Sequence, residues 1–176
     1  MQSMDVIATV LDWIRHLVST MSLIDAVCIS AAMLLIRLCR YAGMWIYALI
    51  ALPGTLAHEL AHFVVAFVLG ARPSFPSIVP TRTEHGWRLG SVAFRVGHAR
   101  ALPIALAPLL LAPLTLWWAG WFLHAASWPL YGLHVWIVAA LLTASLPSAT
   151  DFKLALPALS VVVLLAVSVW LAAKYW

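Results

Sequence analysis

The sequence predicts an all-α polytopic membrane protein with about five transmembrane helices, and three observations lead there. First, 65% of its 176 residues are hydrophobic and 9% are charged, at a mean hydropathy of +1.01. An average globular chain is nearer half apolar and a quarter charged. A surplus of that size is buried in lipid, which helices can cross with every backbone group satisfied. Second, long apolar runs recur, separated by proline, glycine and charge. Third, charge and aromatic residues are asymmetric. With residues 71–100 in the cytoplasm, Arg15, Arg72, Arg82, Arg88, Arg95, Arg100 and Lys153 fall inside, and Arg37, Arg40 and Lys174 outside. The same orientation gathers Tyr41, Trp45, Trp117, Trp118, Trp121, Trp128, Trp170, Tyr175 and Trp176 at the outer interface. The expected location is therefore the plasma (inner) membrane, multi-pass, with the lipid bilayer as a partner.

At this length the chain reads as a single domain, 1–176. Net charge is +4, and residues 71–100 account for all of it, with five arginines against Glu84. In a membrane protein such a stretch marks a cytoplasmic loop, and no nucleic-acid partner is expected. Cys28 and Cys39 are too few for a disulfide framework or a zinc knuckle.

Taken in order, residues 1–22 read as an N-terminal amphipathic helix. Ile7, Val10, Leu11, Ile14, Leu17, Val18 and Met21 share one face and Asp5, Asp12, Arg15, His16 and Ser19 the other. Residues 23–38 make a first span. Residues 41–70 are too long for one straight span, and Pro53-Gly54 predicts a helix kinked or broken there. Gly70-Ala71-Arg72-Pro73 ends it. Residues 71–100 then form a strand-bearing insert: coil to residue 80, then partial alternation over 87–96, which predicts a short β-hairpin turning near Gly86 or Gly90. Residues 102–126, 128–146 and 152–173 are the remaining spans.

Within the 41–70 run, after Pro53-Gly54, His58-Glu59-Leu60-Ala61-His62 places two histidines four residues apart on one helical face. That is the His-Glu-x-x-His spacing of zinc-protease helices, in which the pair supplies two metal ligands and the glutamate a general base. A catalytic zinc takes three protein ligands and keeps a fourth position open. For the third, Asp5, Asp12 and Glu84 are explained by solvation, and Asp25 remains an alternative. Asp151 lies at the proline-broken junction 147–151, on the side to which the histidine helix descends. It could instead be a helix N-terminal acid, but the ligand reading is favoured because the site needs a third ligand. His85, His98, His124 and His134 are assigned to solvent, the interface or helix–helix contact.

These parts together resemble the site-2 protease family of zinc intramembrane proteases. The resemblance covers about residues 52–156 and rests on His58-Glu59-Leu60-Ala61-His62, Gly70, the hairpin-like insert, Ala105-Leu106-Ala107-Pro108 and Asp151. Where members carry a glycine after the aspartate, this chain has Phe152. Membership implies a catalytic core over 52–156, and at this length no room is expected for the regulatory modules that some members carry. It implies one zinc held by His58, His62 and Asp151, Glu59 as catalytic base, and hydrolysis of transmembrane protein substrates. Two rivals, an inactive membrane scaffold and a metal or proton transporter, use the same polar residues differently.

Overall fold

The computed structural model describes residue 12 and residues 21–83, 86–94, 97–124 and 126–175. The amphipathic helix expected over residues 1–22 lies almost entirely outside them. Helix α1 spans Leu23–Ala42. Its start is a capping box: Ser22 Oγ accepts the Asp25 amide at 3.1 Å while Asp25 Oδ2 accepts the Ser22 amide at 2.8 Å. Gly43, at φ 138°, ends it.

The long run expected as one kinked helix is divided instead. Helix α2 (Met44–Ile50) and helix α3 (Leu52–Val68) meet at Ala51 with a bend of 70°. The break falls two residues before Pro53 because a proline ring clashes with the carbonyl four residues back, whereas the first turn of a new helix accommodates it. At its other end α3 closes with a Schellman motif. Gly70, at φ 69°, donates to the Phe67 carbonyl at 3.0 Å, and Ala71 donates to the Ala66 carbonyl at 2.8 Å.

Strands β1 (Thr81–Thr83) and β2 (Gly86–Arg88) pair antiparallel, Thr81 opposite Arg88. The strand partner of Gly86–Arg88 thus lies upstream, where the sequence offered no alternation. Beyond β2 the chain makes only a bridge, Ser91 with Ser77. Helix α4 (His98–Ala105), a 3-10 turn (Ala107–Leu110) and helix α5 (Leu111–Phe122) replace the continuous span expected over 102–126, with Pro103 and Pro108 inside the interrupted stretch. Helix α6 (Trp128–Ala144) and helix α7 (Ala149–Tyr175) complete the bundle.

Helix α6 is the hub, packed by α1, α3 and α5, while α4 packs on α7. Small residues on α6 bring its neighbours close: Ala139 and Ala140 are buried beside Val138, against Ile29 and Ile36 of α1 and Ala119 and Leu123 at the end of α5. Side chains as fully buried as Ile36, Leu123 and Val138 each contribute about 1.5–3 kcal/mol. Closest of all is Gly54, where a Cβ would lie within 2.2 Å of the Ala140 carbonyl oxygen.

The expectation of five transmembrane helices is corrected by these lengths. Among the described residues one helix, Ala149–Lys174, is long and apolar enough to cross a membrane, or two if the bent pair α2–α3 is counted as one span. Hydropathy counts apolar residues but not helix continuity: the 41–70 and 102–126 runs fold as shorter pieces, α6 stops at 17 residues, and the 20-residue α1 carries Asp25, Arg37 and Arg40. The multi-pass location and the bilayer partner rested on that count and are withdrawn with it. The architecture is a helical bundle with one two-stranded hairpin.

Candidate metal centre

Three elements of the bundle converge on one polar point. Helix α3 carries His58, Glu59 and His62; Gly54 and His58 meet the last turns of α6, and His62 meets α4. The short link after α6 then delivers Asp151 at the start of α7.

His58, His62 and Asp151 form a group that can hold a metal ion, with one ligand atom from each lying within 4.8 Å of the others. The two imidazole Nε2 atoms are 3.2 Å apart. Asp151 Oδ2 is 3.4 Å from His58 Nε2, and Asp151 Oδ1 is 3.3 Å from His62 Nε2. Ligands bound tetrahedrally at about 2.0–2.1 Å stand about 3.3 Å from one another. The carboxylate presents both oxygens to the space between the imidazoles.

Each ring is oriented by a backbone carbonyl. His58 Nδ1 is 2.7 Å from the Ala144 carbonyl and His62 Nδ1 is 2.7 Å from the Ile104 carbonyl. A carbonyl only accepts, so both Nδ1 atoms carry hydrogen, and in the neutral rings both Nε2 atoms present lone pairs. Two lone pairs and a carboxylate then face one another across a half-buried space, an arrangement that calls for a cation.

Each of those carbonyls lacks the amide four residues on that would bond it in a helix, for reasons written in the chain. Ile104 would be bonded in a helix by the amide of residue 108, which is a proline and has none. Ala144 is the last residue of α6, Pro147 follows, and the Ser148 amide is turned onto Asp151 Oδ2 at 2.6 Å. Ser148 Oγ accepts the Asp151 amide at 3.2 Å in return. Asp151 is therefore both a helix-capping acid and a member of the metal group.

Burial opposes charge throughout the cluster. It pushes the His58 imidazole down, but the approach of Asp151 and the Ala144 carbonyl outweigh it, and His58 ends above its ordinary value. Burial pushes Asp151 up, yet His58, His62 and the Ser148 amide hold it well below the carboxylate range. Glu59, 8% exposed, is raised, chiefly by burial, with His58 and His62 pulling the other way.

Asp25, the alternative ligand, is engaged elsewhere. It caps α1, accepts the Tyr131 hydroxyl at 2.8 Å and lies 3.6 Å from His124 Nε2. His134 Nδ1 accepts the Trp118 indole at 3.3 Å, and residue 85 lies outside the described residues. Sequence reasoning missed Ile104, Ala144 and Ser148. Pro108 was the available signal for Ile104, since it removes the amide that would otherwise claim that carbonyl.

Fold and site together define a helical-bundle protein with a His/His/Asp metal-ion group. No family model matches the chain, and neither the curated proteins nor the solved structures give a match. The resemblance to the site-2 protease family, carried by His58-Glu59-Leu60-Ala61-His62, Gly70, the hairpin-like insert, Ala105-Leu106-Ala107-Pro108 and Asp151, is withdrawn, because the multi-span membrane architecture that goes with it is contradicted by the helices. The reading as a zinc metalloendopeptidase cleaving transmembrane protein substrates goes with it, as do the scaffold and transporter of the same fold. What stands is the metal-ion group itself.

Proposed function

We propose that this chain binds one Zn2+ through His58, His62 and Asp151, with Glu59 as the proton acceptor beside it. The observation that carries this reading is the fixed pair of tautomers. With each Nδ1 committed to a carbonyl, the Nε2 atoms and the Asp151 carboxylate converge at separations of 3.2–3.4 Å. Two imidazoles and a carboxylate suit zinc better than the all-oxygen sets preferred by calcium or magnesium. Among the described residues no fourth His, Cys, Asp or Glu joins the group, the pattern of zinc sites that keep a position open. Bound in such a site, zinc lowers the pKa of a coordinated water to near neutrality.

The chain's own contributions follow from their surroundings. The Ile104 and Ala144 carbonyls hold the imidazoles in register and raise their basicity, as partners behind metal ligands do. Asp151 supplies negative charge, which the Ser148 amide helps to orient. Glu59 follows His58 directly on α3 and is close enough to His58, His62 and Asp151 to feel all three charges. Its raised pKa brings it nearer the range in which a carboxylate accepts and returns a proton at neutral pH.

The test is metal analysis of the purified protein after zinc loading and removal of excess. One zinc per chain is expected in the wild type and in Glu59→Gln, and loss to background in His58→Ala, His62→Ala and Asp151→Ala. A wild type without stoichiometric metal, or ligand variants that retain it, overturns the assignment.

A further inference from the structure

We propose that Gly90 is a positioning residue for Glu59: its backbone lies directly against the Glu59 side chain and sets where the carboxylate sits. The inference rests on the reading of Glu59 as proton acceptor. A Cβ built on Gly90 would fall 2.7 Å from Glu59 Cγ, 2.7 Å from Glu59 Oε1 and 3.0 Å from Glu59 Cδ. Real Cβ atoms do not approach so closely, so only glycine leaves Glu59 where it is.

The strap carrying Gly90 is anchored on both sides. Upstream, β2 pairs with β1. Downstream, the Ser77 and Ser91 backbones exchange two hydrogen bonds at 2.9 Å, and Ala93 is tied to Ser74 in both directions, amide to Oγ at 3.0 Å and carbonyl to amide at 2.8 Å. Between two fixed points the backbone cannot readily retreat. Glu59 is the softer partner, because no hydrogen bond within the described residues holds its carboxylate.

The glycine is there for space rather than for backbone freedom. Gly43 and Gly70 are the glycines at positive φ, and Gly90 is not among them. Alanine therefore suits the Gly90 backbone, and its methyl group presses first on Glu59. The three atoms nearest to that methyl all belong to Glu59, and none to a metal-group residue. Gly90→Ala thus displaces the proton acceptor while leaving the metal group in place.

The chain contains two glutamates, Glu59 and Glu84, so protein labelled with carbon-13 at the glutamate carboxyl gives two resonances, and Glu59→Gln assigns them. In the metal-free full-length protein, Gly90→Ala should move the Glu59 resonance and leave the Glu84 resonance unchanged. Loaded with cobalt(II), the variant should take up the same one ion per chain as wild type. Its visible spectrum should change in the direction that Glu59→Gln changes it, and the double variant should match Glu59→Gln alone. If Gly90→Ala lowers the melting temperature, Glu59→Ala in the same chain should restore it, since the clash is then gone. Cobalt uptake with an unmoved Glu59 resonance overturns the positioning role alone. A wild type that takes up no cobalt overturns the metal reading and this role with it.

Discussion

The Ser148 amide donates to Asp151 Oδ2 at 2.6 Å, so the carboxylate that completes the metal group is held by the helix it begins. The two roles separate by substitution. Asp151→Asn keeps a carbonyl oxygen for the Ser148 amide and removes the charge, so it should retain most of the stability and lose the metal. Ser148→Ala should keep the metal charge set while losing a cap worth about 0.5–2 kcal/mol. Urea unfolding with metal analysis on both variants checks the division; Asp151→Asn retaining stoichiometric zinc would falsify the ligand assignment.

Pro108 acts on His62 through Ile104. Pro108→Ala restores an amide that can claim the Ile104 carbonyl in an ordinary helical bond, in competition with His62 Nδ1. Zinc affinity should fall by about 10–100-fold, the usual cost of losing a partner behind a metal ligand. Competition with a chromophoric chelator measures it, and an unchanged dissociation constant would mean the carbonyl does not steer the ring.

Gly54 sets the distance between α3 and α6. A methyl group there would lie 2.2 Å from the Ala140 carbonyl oxygen and 3.0 Å from Ala144 Cβ, and backbone has to move. Gly54→Ala should destabilise the fold by about 1–3 kcal/mol. Because Ala144 also holds His58, zinc affinity should fall as well. Thermal unfolding and metal titration together test this, and a variant as stable as wild type would exclude so close a contact.

Asp25 supplies a pH dependence away from the metal group. Burial pushes its carboxyl up, but bonds from the Ser22 side chain and amide and from the Tyr131 hydroxyl, with His124 nearby, hold it below its ordinary value. A carboxyl depressed in the folded state binds protons more readily when unfolded. Its contribution is therefore complete above the ordinary carboxyl pKa of about 3.9 and is lost as pH falls through the lower folded value. Asp25→Asn should remove that part of the acid sensitivity. Unfolding midpoints of both proteins from pH 6 down to pH 2 would reveal it as converging curves, and parallel curves would rule it out.

The local chemistry was legible in the sequence by itself. The four-residue spacing put His58 and His62 on one face of a helix, because helical periodicity is a property of neighbours along the chain. Asp151 was found as a carboxylate at a proline-broken junction, with capping and metal binding as its two readings; the structure shows the capping bonds with Ser148 and sets the carboxylate in a group that could hold a metal ion. Gly70 marked a helix end, and the Schellman bonds explain why.

Helix continuity and the partners behind the ligands were decided only by tertiary structure. Composition counted apolar residues and returned five spans, but Pro53 restarts a helix at Leu52 and the stretch around Pro103 and Pro108 folds as short pieces. The Asp25 alternative was settled by its bonds to Ser22 and Tyr131. The contact of Gly90 with Glu59 joins residues 31 positions apart through the Ser77–Ser91 bridge. The His-Glu-x-x-His stretch thus specified its own helix face and two members of the group that could hold a metal ion. What stands opposite that face depended on the packing of α4, α6 and α7, since a carbonyl left free by a proline becomes a hydrogen-bond acceptor only where another helix brings a donor to it.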